Sequence, residues 1–210
     1  MLDEFLESSD ELHGLMMTLL ENVQLAPGMR IEMGMVACSL ALEHALSLRL
    51  LVRTSCYTSA VSMLRLQYEA LARGIWLLYA ATDRQVETLA SPLSVISEQA
   101  AKKMPMFSEM LKEIHRTAPA IPSKMLQSFK DVNYQAMNSY VHSGIHPLRR
   151  HSEGYPEGLV RGVVTSSNGL SVMALQLGLI LTGDSRLGGL VQEIQMDYSD
   201  LLPEIISPLH

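Results

Sequence analysis

The chain has 210 residues, 48% of them apolar, enough for one substantial core or at most two small ones. A formal charge of −6 excludes broad, nonspecific nucleic-acid binding over the whole surface, although a local basic patch remains compatible with it. Only two cysteines are present, Cys38 and Cys56, so a disulfide scaffold is excluded and both read as buried free thiols of a reducing compartment.

Along the chain, Ser8, Ser9 and Asp10 offer a helix start, followed by Leu12, Leu15, Met16, Leu19 and Leu20 at helical spacing. Ala26-Pro27-Gly28 breaks the chain, and a long helix follows from about Met29 to Val52. Thr54 or Ser55 caps a third helix reaching about Ala81, and Thr82-Asp83 starts a short one. Between Ser91 and Pro122 four prolines (92, 105, 119, 122) predict short helices and turns, an excursion from the main bundle. Ser123 is expected to cap a helix ending near His142-Ser143-Gly144, after which Gly144 and Pro147 predict a broken loop. Gly154-Tyr155-Pro156 precedes a long apolar helix to about Thr182, and Asp184 or Ser185 starts the last. No stretch alternates with period two and no repeat is visible. The expected fold is all-α: one domain over 1–210, an up-and-down bundle of four to five long helices with 91–122 as the excursion.

Fourteen methionines and 5% aromatics predict an aliphatic, adaptable core, partly available to helix–helix or subunit contacts. The acidic start, Met1-Leu-Asp-Glu-Phe-Leu-Glu, is unlike an export signal. The most apolar run, Gly169 to Gly183, is too short for a membrane span and carries Gln176. A cytoplasmic protein with no membrane partner is expected.

The third helix confines its polar residues, Thr58, Ser62, Arg65, Glu69, Arg73 and Trp76, to about a quarter of its girth at ~100° per residue. A helix apolar around the rest is central, and its Arg65–Glu69–Arg73 ladder is either a thin solvent strip of i,i+4 pairs or a wall of a polar cleft. On the second helix Glu32, Ser39, Glu43 and Ser47 form a stripe, an exposed acidic strip or, through Glu43, a partner for Arg65 or Arg73.

Chemistry concentrates between Asn138 and His151, where three of the seven histidines (142, 146, 151) and the Arg149-Arg150 pair fall. Asn138 and His142 lie opposite the apolar stripe Met125, Phe129, Val132, Ala136 and Tyr140 on the helix before Gly144. His142 reads either as a solvent-face residue near a helix C-terminus or as a cleft residue. His142 and His146 are four apart, but Gly144 and Pro147 interrupt the helix a metal pair would need. Arg149, Arg150 and His151 make a basic knot, either solvated or gripping a phosphate. No nucleophile elbow, phosphate loop or dinucleotide fingerprint occurs, and neither a metal nor a cofactor is expected.

Glu69-Ala-Leu-Ala-Arg73-Gly-Ile-Trp76-Leu, with Asn138-Ser-Tyr-Val-His142-Ser-Gly and Arg149-Arg150, resembles a group of uncharacterised bacterial helical proteins. These in turn are similar to the HEPN superfamily (higher eukaryote and prokaryote nucleotide-binding domains). The resemblance spans roughly Glu43 to Gln176. It implies a dimerising bundle with an Arg–polar–x–x–x–His motif across a cleft. Many such proteins are metal-independent ribonucleases of toxin–antitoxin or phage-defence systems. Asn138 and His142 stand where the polar residue and histidine belong, whereas Met137 holds the arginine's place. On this resemblance the chain is expected to be a homodimer acting on RNA or a nucleotide, with a cognate antitoxin or defence partner. His142 would be the general acid/base, oriented by Asn138 and Tyr140. Arg149 and Arg150, with Arg65, Arg73, Glu69 and His146, would hold phosphate or ligand. The alternative is a non-catalytic binding or scaffold module with a degenerate motif, recognising a nucleotide-like ligand or a protein partner. A purely structural, Met-rich bundle is the third reading.

Overall fold

The structure, a computed structural model, describes residues 1–204. Among these residues there are ten α-helices and no strand. Five helices are 20–25 residues long: α1 (Leu2–Glu21), α2 (Met29–Arg53), α3 (Tyr57–Tyr79), α7 (Ala120–Val141) and α9 (Glu157–Ile180). The shorter ones are α4 (Asp83–Ala90), α5 (Val95–Ala101), α6 (Phe107–Thr117), α8 (Ile145–Glu153) and α10 (Leu190–Asp197). Thr82 and Asp184 cap as expected, on α4 and on the 3-10 turn Ser185–Gly189.

Cross-helix contacts fix the directions. Ser9 meets Asn168 and Leu20 approaches Gly178, so α1 and α9 run parallel. Gly34 approaches Leu181 while the Cys38 thiol donates to the Ala174 carbonyl, so α2 runs against α9. Gln67 bonds Ser167 and Ser171, and Gly74 approaches Leu177, making α3 parallel to α9. Tyr68 reaches the Leu126 carbonyl and Arg65 reaches Tyr134, making α7 antiparallel to α3. In chain order the five long helices therefore alternate in direction.

The α2–α3–α9 contact is close because small residues line it. A Cβ on Gly74 would stand 2.7 Å from a Leu177 methyl and 3.3 Å from the Ala37 Cβ. The Gly74→Val variant is therefore expected to lose about 1–3 kcal/mol by overpacking, measurable as a lower urea midpoint with an unchanged slope. Gln67 Nε2 donates to the Ser167 carbonyl (2.9 Å) and the Ser167 hydroxyl donates back to Gln67 Oε1 (2.6 Å), a buried, satisfied exchange that sets the α3–α9 register. Arg30 of α2 donates to the Ala81 carbonyl (2.8 Å) and to Asp83 (2.7 Å), occupying an acceptor just past the end of α3.

Four expectations change. The first helix begins at Leu2, not at Ser8–Asp10, because Phe5 and Leu6 already belong to its buried stripe. Ser9 lies inside that helix, its hydroxyl donating to the Phe5 carbonyl (2.8 Å) and accepting from Asn168 (2.9 Å). The helix assigned to Ser123 starts at Ala120, with Pro122 in the first turn, where its missing amide costs nothing; Ser123 is buried against His115 instead. Gly144 to Glu153 is not a broken loop, since Pro147 falls in the first turn of α8 and leaves that helix intact. Cys56 is exposed rather than buried, at the α2–α3 turn where Ser55 takes a positive φ of 58°, while Cys38 is buried.

Within 91–122 only part stands away from the bundle. Helix α6 buries Met110, Leu111 and Ile114, and Glu113 accepts the indole N–H of the fully buried Trp76 (2.6 Å). By contrast α5 and the turn before it bury nothing, and Leu93, Val95 and Ile96 are 71–94% exposed. By length and composition α2 and α9 are each apolar enough to cross a membrane; 72% of the most apolar window of α9 is buried inside the bundle, against 44% for α2.

Candidate functional site

The antiparallel course of α7 brings its C-terminus to the start of α3, where α8 and the first turn of α9 also meet. Tyr140 faces inward from α7 and is 7% exposed. Its ring lies 6.3 Å from that of His146 on α8. Tyr155 stands beside it, its hydroxyl 2.8 Å from that of Thr58 and its ring 5.3 Å from that of Tyr57. Burial, and then the neighbouring Tyr155 hydroxyl, push the Tyr140 phenol up to about 12 against a smaller opposing effect of Arg150. Tyr140 therefore keeps its proton at neutral pH, and its chemistry is limited to donating or accepting a hydrogen bond.

Asn138 and His142 lie on the exposed side of the same helix end, with His142 as its C-cap. Tyr140 points the other way, so the structure does not bring it to His142 within the chain. The turn beyond is tight: Ser143 has a φ of 53°, the Gly144 amide donates to the Ser139 carbonyl (2.7 Å), and the Ser139 hydroxyl accepts from the His146 amide (3.2 Å). A Cβ on Gly144 would come within 2.6 Å of the Ser139 hydroxyl, which ties this turn to glycine. The break separates His142 from His146, which no longer share one helical face. Among the described residues no three His, Cys, Asp or Glu side chains converge as metal ligands would.

Helix α8 carries His146, Arg149, Arg150 and His151. Arg149 pairs with Glu153 one turn on, both substantially exposed, and such a pair yields to a competing anion at little cost. Arg150 is half-buried on the Tyr140 side, and Ile145 and Leu148 add apolar surface, 70% and 65% exposed. Polar, basic and apolar groups thus share one corner: Asn138 and His142 from α7, His146, Arg149, Arg150 and His151 from α8.

The Arg65–Glu69–Arg73 part of the α3 strip lies elsewhere, and Arg65 is covered. Arg65 lies beside the stacked Tyr134 and Phe107 rings, its guanidinium carbon 4.1 Å from the Tyr134 centroid and 5.4 Å from that of Phe107. It donates to Glu69 (2.7 Å) and to the Tyr134 hydroxyl (3.0 Å). With 11% of its side chain exposed, it belongs to the α3–α6–α7 contact rather than to a solvent strip or an open cleft. Arg73 is half-buried, without an ion pair among the described residues, and sits fifteen residues, roughly 22 Å of helix, from Thr58. The corner therefore does not include Arg65, Glu69 or Arg73. Glu43 is exposed and pairs with neither arginine, as in the acidic-strip reading.

An open hollow of about 290 Å³, lined chiefly by Leu179, Ile180, Leu187 and Val191 with Gln176 and Asp184, lies at the other end of α9. It holds no convergent set of chemistry-bearing groups.

A family model described as a family of unknown function matches residues 38–204. The chain belongs to the DUF6988 family. No curated protein and no solved structure matches it. The matched span of this DUF6988 member contains the whole of α3 to α10, hence every residue of the corner, whereas α1 lies outside it.

Sequence reasoning missed Tyr155 as a neighbour of Tyr140, and missed the cluster in which Asp10 of α1 meets Arg49 and Arg53 of α2. For the second a signal existed: Arg49 interrupts the run Leu48-Arg49-Leu50-Leu51, and a charge there needs a partner.

Proposed function

We propose that this DUF6988 member is a HEPN-like, non-catalytic binding module that recognises a phosphate-bearing ligand, RNA or a nucleotide, at the α7–α8 corner. The observation that carries this reading is Met137, which is 1% exposed. It occupies the place of the arginine that grips phosphate in the nucleases the sequence resembles, and on this helix that place faces the core. An arginine there would have to bury its charge and find a partner for it inside the core. What remains outside is a ligand surface: Asn138 and His142 to hydrogen-bond, Arg149 and Arg150 to neutralise phosphate, and Ile145 and Leu148 as apolar contact. The superfamily resemblance supplies the proposed setting, a homodimer in a bacterial defence or toxin–antitoxin system.

The nuclease reading keeps one supporting observation, that Asn138 and His142 stand one turn apart on an exposed face. A single assay separates the two. End-labelled single-stranded RNA is titrated with protein at increasing salt and then run on a denaturing gel. Intact RNA with binding that weakens as salt rises is the expected result. Cleavage that disappears in a folded His142→Ala variant would transfer the conclusion to the nuclease reading, and absence of binding at low salt would end both.

A further inference from the structure

Where α1 meets α2, four titratable groups that play no part in the corner gather, three of them bonded across the contact. Asp10 accepts from Arg49 Nε and from Arg53 Nη2, each at 2.6 Å, one carboxylate between two guanidiniums. Arg49 is 1% exposed and also donates to the Ala45 carbonyl (3.3 Å). His13 stands one turn beyond Asp10, and two of this cluster's buried polar atoms, Arg49 Nη2 and His13 Nδ1, lack a partner among the described residues. The cluster already holds two cations against one anion, so a further positive charge has no counter-ion. From α9 the polar group facing α1 is Asn168, and its Arg161 lies over the Phe5 ring, eight residues, about 12 Å, from His13. From the turn Ser199–Leu201 the charge is Asp200, which is exposed. None of these neutralises His13. The matched family segment begins at Cys38, so Asp10 and His13 lie on an element outside it and their arginines inside it.

We infer that Asp10, His13, Arg49 and Arg53 form an acid-sensitive latch: protonation of the His13 ring releases α1 from the α2–α3–α9 body. Release would uncover the inward face of α1 (Phe5, Leu6, Leu12 and Met16) and the Asn168 region of α9 beneath it. Burial first, and Arg49 second, lower the His13 imidazole to about 4, with Asp10 opposing. The unfolded or released helix takes up the proton at the ordinary value of 6.5, so docking is fully favoured above that pH. It weakens as pH falls toward 4 and loses nothing further from His13 below it. Asp10, whose carboxyl is lowered despite burial by its bonds to Arg53 and Arg49, stays ionised through this window and gives way only below its own ordinary value of 3.8. His44 on α2 is also lowered, by burial, and acts in the same direction, which is why the test must isolate His13.

The experiment is hydrogen–deuterium exchange of the full chain at pH 7.5 and 4.5, corrected for intrinsic rates, on the wild type and His13→Gln. In the wild type, protection of α1 is expected to fall roughly tenfold or more at pH 4.5 while α9 keeps its own; in His13→Gln, α1 protection should change less than about twofold. An NMR titration of the His13 ring in the wild type reads the same latch without a variant, with a midpoint expected below 5. Parallel loss in α1 and α9, an unchanged response in His13→Gln, or an ordinary His13 midpoint would each overturn the proposal.

Discussion

Trp76→Ala is expected to be among the most destabilising single truncations, costing about 3–5 kcal/mol. The indole is fully buried where α3 meets α6, and its N–H donates to Glu113 at 2.6 Å. Truncation opens a large cavity in a helix wedged between α2, α9, α6 and α7, none of which can collapse into it without breaking its other contacts. Glu113 is half-buried and can regain water, so the cavity and not the lost hydrogen bond dominates. Trp76→Phe separates the two, retaining most of the volume and costing about 1 kcal/mol for the bond. In a chain of 210 residues the Ala variant should melt roughly 10 °C lower, and a drop of only a degree or two would show that α6 is a loosely attached lid.

The second large effect concerns binding. Replacing Arg149 and Arg150 together by glutamate is expected to weaken RNA binding at low salt by tenfold or more, with a modest loss of thermal stability because Arg150 is half-buried and the Arg149–Glu153 pair is lost. The double variant reverses two charges on a surface helix. It also sets a carboxylate at position 149 one turn from Glu153, a like-charge pair that repels phosphate. Losing two phosphate contacts should also flatten the salt dependence, since the slope scales at roughly 0.7 per contact for single strands. Equal affinity and an unchanged slope in a folded double variant would move the ligand away from this corner altogether.

The fold was legible because its signals are long-range periodic ones. Breaks at Pro27-Gly28 and Gly154–Pro156, and caps at Thr82 and Asp184, delimit helices whose apolar stripes run for five or more turns. Misreadings cluster where a residue with a strong local meaning serves a tertiary partner: Ser9 looks like a cap and instead completes a bond to Asn168, and Ser123 looks like a cap and instead lies buried against His115. Prolines 122 and 147 misled in the same way, since both fall in first turns, where proline is tolerated. Within the candidate site, the sequence places Asn138 and His142 on one face and Tyr140 on the other. It carries no sign of Tyr155 packing beside Tyr140, because that pair depends on how far α9 travels alongside α3. Arg65 and Glu69 were legible as a pair, but not the stacked Phe107 and Tyr134 rings that two other helices bring against Arg65.

The parallel packing of α3 and α9 imposes a further consequence. Two neighbours that point the same way cannot be joined by a short loop, so a chain leaving α3 at its far end has to travel back a full helix length before α9 can begin. Helix α7 is that return leg. Its last turn, all of α8 and the first turn of α9 must then assemble beside the first turn of α3, whatever side chains they bear. The position of the corner is thus a property of the connectivity, and the exposed side chains between 138 and 151 can change their chemistry, and with it the ligand, while the scaffold holds the place where a ligand would sit.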